Sequence, residues 1–279
     1  MYQALYRKWR PKVFSDVIGQ EHITETLKKQ VAEGRTSHAY LFTGTRGTGK
    51  TTCAKILAKA VNCEHPVNGD PCCQCPSCLG LESGSFLDVL ELDAASNNGV
   101  DQVRALRDEA IYAPANVKKR VYIVDEVHML STAAFNALLK ILEEPPAHLM
   151  FILATTELHK VPATILSRCQ RYSFKRILPK DIAQRLSYVA GQEHIDLTAD
   201  GAELLSRLAD GALRDGLSLL DQCAAAGGTV DSRAVLEVLG LAGNLQTAQL
   251  MRHILDRNAQ AALLLLNELY AGGKDVGAV

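Results

Sequence analysis

The chain has 279 residues, of which 47% are hydrophobic and 22% are charged, and its formal net charge is −1. That length accommodates two domains and part of a third. The near-zero net charge argues against a protein that coats DNA through bulk positive charge. No apolar run reaches the length of a membrane span, and the first residues lack the apolar core of a signal peptide. We therefore expect a cytoplasmic protein with no membrane partner, whose eight cysteines are metal ligands or buried thiols rather than disulfides.

The first part of the chain alternates between helical patterns and short apolar runs. An amphipathic stretch at residues 20–33 ends at Gly34, which is typical of a helix with a glycine cap. This alternation predicts an α/β fold, a parallel sheet with helices on both faces. The strand-like runs are residues 39–42, 87–92, 120–125 and 149–154, with 171–174 as a candidate fifth strand. The helical patterns between them are residues 52–60, 100–112 and 132–144.

The sequence changes character after Pro179. Residues 180–240 are rich in Ala and Leu, show helical periodicity and are interrupted by glycines. This pattern predicts a small all-helical domain. Two more helical stretches follow Gly243, and they predict the start of a further helical domain.

Residues 44–51 carry the whole G-x-x-x-x-G-K-[ST] phosphate-binding pattern between an apolar strand and a helix. The glycines allow backbone N–H groups to surround phosphates, and the helix points its positive end at them. Lys50 would reach the β- and γ-phosphates, and the Thr51 hydroxyl would bind Mg²⁺. The alternative is a chance glycine-rich turn, which the flanking strand and helix disfavour. The predicted nucleotide-binding residues are Gly44, Thr45, Arg46, Gly47, Thr48, Gly49, Lys50, Thr51 and Thr52.

Asp125 and Glu126 stand at the end of another apolar strand, where a nucleotide site in an α/β sheet belongs. Asp125 would hold Mg²⁺, and Glu126 would orient and polarise the attacking water. The alternative is that the two carboxylates only cap a strand and open a turn. His128 completes an Asp-Glu-x-His pattern, which also occurs in helicases, and we interpret it as local support for the turn.

An arginine is expected near the transferred phosphate, because one lysine and one Mg²⁺ leave part of the transition-state charge unbalanced. Two arginines are candidates. Arg168 follows the last long strand in Ser167-Arg168-Cys169, and Arg214 lies in the helical region. A surface salt bridge is the alternative role for either side chain.

Five cysteines fall within sixteen residues in the spacing Cys63-x₈-Cys72-x₂-Cys75-x₂-Cys78, with Cys73 as an extra thiol. Four thiolates can close a tetrahedral Zn²⁺ site without an open position, which predicts a structural metal. Such a metal would fix a loop too polar and glycine-rich to pack alone. The alternatives are a redox pair and an iron–sulfur cluster.

These motifs together resemble the gamma/tau family of bacterial DNA polymerase III, the AAA+ ATPase of the sliding-clamp loader. The similarity extends over residues 2–240. It is carried by the phosphate-binding loop, residues 125–128, Ser167-Arg168-Cys169 and the cysteines. It is also carried by residues 6–11, 16–20, 92–100 and 135–140.

The resemblance implies a division of the chain into three parts. Residues 1–177 would form a P-loop AAA+ domain with a parallel sheet flanked by helices and a zinc-binding insert at about residues 62–80. Residues 178–242 would form a small all-helical lid. Residues 243–279 would begin a helical collar domain, in which the chain is truncated.

The resemblance also assigns further site residues. Arg168 would act in trans on ATP bound by a neighbouring subunit, and Arg214 would sense the γ-phosphate in cis. Thr156 would be the polar sensor at the end of the fourth strand. Adenine would lie near Val17 and Ile18, with Arg10 close by.

The implied function is that of the ATPase motor which loads a sliding clamp onto primer–template DNA during replication. ATP, Mg²⁺ and structural Zn²⁺ are the implied cofactors. The implied partners are other loader subunits in a pentameric ring, including further copies of this chain, together with the clamp and DNA held through its phosphates. Two alternatives stay open: a branch-migration AAA+ motor, and a scaffold subunit that binds nucleotide without hydrolysing it. No carboxylate pair suits nucleotidyl transfer, so we do not expect a polymerase.

Overall fold

The computed structural model describes residues 3–241 and 244–272. These residues fall into two units. One is Arg10–Ile177, and the other combines the described residues up to Trp9 with those from Leu178 onward. No helix in the described ranges is both long enough and apolar enough to cross a membrane.

The unit Arg10–Ile177 is built on a five-stranded sheet in the order β2-β3-β4-β1-β5, and every pairing is parallel. The central strands β1 and β4 are buried at every residue, as expected for strands covered on both faces. The strands are β1 (Ala39–Thr43), β2 (Val89–Asp93), β3 (Arg120–Asp125), β4 (Leu149–Thr155) and β5 (Gln170–Ser173). The predicted parallel α/β sheet is therefore confirmed, and the candidate fifth strand forms.

Helices cover both faces of this sheet and continue through the second unit. In chain order they are α1 (Leu5–Lys8), α2 (Glu21–Ala32), α3 (Lys50–Asn62), α4 (Pro76–Ser83), α5 (Val100–Ala110), α6 (Thr132–Glu143), α7 (Ala163–Leu166), α8 (Pro179–Gln192), α9 (Ala199–Leu208), α10 (Leu213–Ala225), α11 (Ser232–Val238), α12 (Asn244–Leu255) and α13 (Ala259–Ala271). Successive strand residues point to opposite faces. Leu41 and Leu153 therefore join a core cluster with α5 and α6, whereas Phe42 and Ile152 join one with α2 and α3.

Most predicted elements shift by one or two residues at their ends, and two differences have a clear physical cause. Residues 76–83 form α4, although residues 63–78 read as a loop; the Cys75 side chain accepts a hydrogen bond from the Cys78 N–H and Pro76 occupies the first turn, a favourable helix start. The strand predicted at residues 87–92 begins instead at Val89. Asp88 instead contacts the loop that follows α5, where its carboxylate accepts hydrogen bonds from the N–H groups of residues 115 and 116.

The second unit is helical, as predicted. Its described N-terminal residues are held by Glu193, whose carboxylate contacts Lys8 Nζ and Trp9 Nε1, both at 2.7 Å. Thr198 and Asp231 cap α9 and α11 with their side-chain oxygens, which satisfies N–H groups left free at a helix start. The predicted lid–collar boundary at residues 242–243 lies outside the described residues.

Candidate active site and metal centre

The phosphate-binding loop, residues 44–49, joins the carboxyl end of β1 to the start of α3. Its glycines have positive φ angles of 141° at Gly44, 78° at Gly47 and 103° at Gly49. A Cβ at Gly44 would lie 2.5 Å from the backbone oxygen of Phe174, so only glycine fits there. Among the residues that the structure describes, a Cβ at Gly49 would meet no atom within 4 Å, and no side chain caps the first N–H groups of α3. Open space and free donors therefore coincide where a phosphate would bind.

Lys50 lies inside this loop rather than projecting into solvent. Its ammonium donates to the backbone oxygens of Gly44 at 2.8 Å and Thr45 at 2.9 Å. Burial lowers the pKa of Lys50, while the nearby carboxylates of Glu126 and Asp125 act in the opposite direction. The lysine is thus held next to the phosphate space by weak carbonyl acceptors, which a phosphate oxygen can replace.

Thr51 and Asp125 meet across the gap between α3 and β3. The Thr51 hydroxyl donates to Asp125 Oδ2 at 2.7 Å. A hydroxyl and a carboxylate in contact are oxygen donors of the kind that Mg²⁺ prefers. The residues present therefore fit the metal that the sequence predicts at this place.

Glu126 is oriented by residues at the carboxyl end of the neighbouring strand β4. Its Oε2 accepts hydrogen bonds from Thr156, at 3.1 Å from the backbone N–H and 2.9 Å from the hydroxyl. His128 Nδ1 lies 3.3 Å from the same oxygen and 2.9 Å from the Thr155 hydroxyl. His128 Nε2 lies 3.3 Å from Glu157. Thr156 thus contacts the predicted water-orienting carboxylate, and His128, assigned from sequence only to the turn, contacts that carboxylate as well.

The residues assigned to the adenine side precede α2. Val17 is buried and Ile18 is half-buried, directly after a short 3₁₀ helix at Phe14–Asp16. Arg10 Nε donates to the Thr52 hydroxyl at 3.2 Å. Because Thr52 lies in the first turn of α3, Arg10 stands beside the end of the phosphate-binding loop.

Arg168 follows α7, and among the described residues its hydrogen bonds go to α7, to the residue after it and to the end of α6. Its guanidinium donates to the backbone oxygen of Thr164 at 2.7 Å, to the Ser167 hydroxyl at 3.2 Å and to Glu143 Oε1 at 2.7 Å. No hydrogen bond of the described part of the chain joins it to the phosphate-binding loop. The side chain is one-third exposed, at 33%, which leaves it accessible to another molecule.

Glu143 was not among the residues identified from sequence. Its position is nevertheless informative. Glu143 ends α6, where the negative end of the helix dipole disfavours a carboxylate without a cationic neighbour.

Arg214 belongs to the helical unit and lies in the first turn of α10. Its guanidinium carbon lies 5.0 Å from the centre of the Tyr6 ring, within the range of a cation–π contact. Hydrogen bonds from Arg7 and then Arg214 lower the pKa of the Tyr6 phenol. Arg214 is exposed.

Cys63, Cys72, Cys75 and Cys78 come together at the end of α3 and the start of α4, with their sulfurs all within 4.8 Å of one another. The Sγ atoms of Cys63 and Cys75 lie 4.0 Å apart, as do those of Cys72 and Cys78. Zinc with Zn–S bonds of about 2.3 Å requires sulfur–sulfur edges of roughly 3.8 Å in a tetrahedron. Cys73 points elsewhere, with its Sγ 3.8 Å from the Lys12 backbone oxygen.

Backbone donors surround these sulfurs. The N–H groups of Cys72, Cys75 and Cys78 donate to the sulfurs of Cys63, Cys72 and Cys75 at 3.3, 3.3 and 3.4 Å. The backbone N–H groups of Gln74 and Cys75 lower the pKa of Cys72 to about 6, whereas burial raises that of Cys78. The four thiols therefore fit a closed structural Zn²⁺ site.

Two family models match the chain. Residues 19–178 match one described as DNA polymerase III, delta subunit, and residues 181–229 match the ATPase lid domain of a DNA polymerase III clamp loader subunit. The Bacillus subtilis DNA polymerase III subunit tau is 52% identical over 98% of this chain and 49% of its own length. The Buchnera aphidicola (Acyrthosiphon pisum) subunit gamma is 42% identical over 98% of this chain and 76% of its own length. The chain belongs to the gamma/tau family of DNA polymerase III subunits. The resemblance stated from the motifs is confirmed.

This gamma/tau chain also shares its fold with a branch-migration protein. The Thermotoga maritima RuvB Holliday junction branch migration motor superimposes with a TM-score of 0.63 over 96% of this chain and 86% of that one, at 18% identity. That identity supports a common AAA+ fold and nothing finer. Membership of a clamp-loader ATPase family implies nucleotide and Mg²⁺ binding, and the alternative of a branch-migration motor is not favoured.

Proposed function

We propose that the chain is the ATP-hydrolysing part of a clamp-loader subunit. The chain spans about half the length of curated relatives that it matches, 49% of the Bacillus subtilis protein and 42% of that from Escherichia coli. The observation that supports hydrolysis best is that four groups lie together at the carboxyl ends of β1 and β3. These are the Lys50 ammonium, the Thr51 hydroxyl and the carboxylates of Asp125 and Glu126.

The chain's own residues have separable roles in this proposal. The loop backbone binds the phosphates, and Lys50 exchanges its carbonyl contacts for phosphate oxygens. Thr51 and Asp125 would hold Mg²⁺, which neutralises phosphate charge when bound. Glu126 orients the attacking water, and Thr156 keeps that carboxylate in position. Val17, Ile18 and Arg10 bind the adenine side.

The arginines would make hydrolysis depend on assembly. Arg168 acts in trans on nucleotide held by a neighbouring subunit, in a pentameric ring that includes further copies of the chain. Arg214 reads the γ-phosphate in cis from the helical lid, residues 178–242. Loss of the γ-phosphate would remove the group that both arginines bind, so that the ring changes conformation after hydrolysis.

The four cysteines bind one structural Zn²⁺, because four thiolates whose sulfurs lie within 4.8 Å of one another complete a tetrahedral site without an open position. Residues 243–279 contribute to a collar. The ring grips primer–template DNA through phosphates and loads a sliding clamp in the cytoplasm.

The test is the steady-state ATPase activity of the loader rebuilt with the full-length chain, with and without clamp and primed DNA. We expect strong stimulation by both together, and loss of ATP binding in Lys50→Ala. Activity indifferent to clamp and primer would instead indicate a different AAA+ motor. Nucleotide binding without hydrolysis would indicate a scaffold subunit.

A further inference from the structure

We propose that Asp70, on the cysteine-rich insert, is a positioning residue for the adenine side of the nucleotide site. The inference rests on the proposed function, which assigns Val17, Ile18 and Arg10 to that side. We call residues 63–83 the cysteine insert and residues 10–18 the adenine-side segment. The insert lies between α3 and β2 in sequence, so its effect on a segment some fifty residues earlier must act through contacts.

Asp70 directs its whole carboxylate at this segment and its support. Oδ1 accepts the Phe14 N–H at 2.6 Å, and Oδ2 accepts the Ser15 hydroxyl at 2.5 Å. The Lys28 ammonium on α2 lies 3.0 Å from Oδ2. Only 9% of Asp70 is exposed. A carboxylate this buried needs such partners, and two of its three donors belong to the short 3₁₀ helix that leads into Val17.

The backbone around Asp70 is fixed in the orientation that these contacts require. Val67 and Asp70 exchange two backbone hydrogen bonds of 2.9 Å. Between them, Gly69 has a φ of 85°, and a Cβ there would lie 2.1 Å from the Lys28 backbone oxygen. This turn therefore packs directly on α2 in a way that only glycine allows, and Asp70 reaches the segment from a fixed base.

Two further contacts join the cysteine insert to the same segment. Glu82 on α4 forms ion pairs with Lys12 at 2.6 Å and Lys59 at 3.2 Å. The Cys73 sulfur lies 3.8 Å from the Lys12 backbone oxygen. The insert thus touches the segment at residues 12, 14 and 15, between Arg10 and Val17, which are both assigned to the adenine side.

The segment depends on side-chain anchors to keep its path. Phe14 and Val17, exposed by 1% and 8%, pack in the core cluster with α2 and α3. Arg10 reaches the Thr52 hydroxyl at the other end. Between these anchors, Asp70 holds the backbone of Phe14. Its loss would leave the Phe14 N–H without its carboxylate acceptor, and Val17 and Ile18 would lose their fixed position.

The experiment separates binding of the base from binding of the phosphates. Full-length wild type, Asp70→Ala, Asp70→Asn and the exposed-site control Glu25→Ala are titrated with ATP and with inorganic tripolyphosphate, both with Mg²⁺. We expect Asp70→Ala to raise the Kd for ATP roughly tenfold, about one charge-assisted hydrogen bond, with tripolyphosphate binding unchanged. Asp70→Asn should lie between, because its amide oxygen can still accept the Phe14 N–H. Glu25→Ala should match wild type.

Equal losses for both ligands would overturn the proposal, since they would show that Asp70 supports only the fold. Unchanged ATP binding would overturn it too. If Asp70→Ala does not fold, hydrogen exchange in Asp70→Asn is compared with that in wild type. A larger increase in the exchange rate at residues 12–18 than at residues 44–51 supports the proposal, and equal increases in the two segments refute it. Lys50→Ala tests the proposed function separately, because it should lose both ligands whatever Asp70 does.

Discussion

Replacing Thr156 by Val removes the hydroxyl that donates a hydrogen bond to Glu126, the predicted water-orienting residue, and changes little else. Valine keeps the branched shape at the end of β4 and keeps the backbone N–H that donates to Glu126 at 3.1 Å. The hydroxyl bond of 2.9 Å is lost. The substitution therefore isolates one hydrogen bond to a charged group at the centre of the site.

The structure sets the expected magnitude. A hydrogen bond to a charged partner contributes about 1.5–3 kcal/mol. The lower end applies here, because 31% of the Glu126 side chain is exposed and water can replace part of the bond. A loss of about 1.5 kcal/mol in the transition state corresponds to roughly a tenfold lower kcat.

The assay measures kcat and the Kd for ATP separately, in a loader rebuilt with the full-length variant, clamp and primed DNA. We expect a lower kcat with ATP affinity unchanged, since in the proposed function Glu126 acts on water and not on the bound nucleotide. Thr26→Val is the matched control: the hydroxyl of this exposed threonine on α2 donates to the His22 backbone oxygen at 3.0 Å. A raised kcat would refute the reasoning by showing that Thr156 restrains Glu126. A change confined to the Kd would refute it as well.

Three further changes test other parts of the molecule. Arg168→Ala should leave ATP binding by each subunit intact and lower hydrolysis in the assembled ring by about 10³–10⁵; hydrolysis at the wild-type rate would exclude its role in trans. Cys78→Ser should lose the metal measured by elemental analysis, whereas Cys73→Ser should retain one Zn²⁺ per chain, and the reverse pattern would contradict the ligand set. Burial raises the pKa of Tyr40 to about 12, so above pH 10 the unfolded chain releases this proton first and the free energy of unfolding falls, by about 2 kcal/mol by pH 12. Tyr40→Phe should make that alkaline loss shallower in denaturant titrations, and an unchanged slope would show that Tyr40 does not cause it.

Features carried by contiguous residues were predictable from the sequence. The phosphate-binding loop needs glycines, a lysine and a hydroxyl at fixed spacing, and residues 44–51 supply them whatever the rest of the chain does. The cysteine spacing predicted a cluster in the same way, and the four sulfurs lie together. The central strands β1, β3 and β4 were predictable because buried parallel strands are nearly continuous apolar runs.

Features that depend on partners distant in sequence were not predictable by pattern. The contact between Thr156 and Glu126 requires β3 and β4 to be neighbours, and local periodicity gives no strand order. The start of α4 is local but was missed for another reason: its cap is the Cys75 side chain, and not one of the Ser, Thr, Asp or Asn side chains that usually mark a helix start. Asp70 looks like an ordinary turn residue after Gly69, and only the fold shows that its carboxylate accepts hydrogen bonds from Phe14 and Ser15.

The ion pair between Arg168 and Glu143 bears on how an arginine could serve a neighbouring subunit. With 33% and 51% of the two side chains exposed, the pair contributes only about 0–1 kcal/mol. A guanidinium binding a phosphoryl group in a site that excludes water gains more, because such bonds are charge-assisted and bidentate. Glu143 can therefore hold the arginine in the free subunit without competing seriously with a neighbour's nucleotide. On this reasoning, Glu143→Gln should alter ring hydrolysis far less than Arg168→Ala.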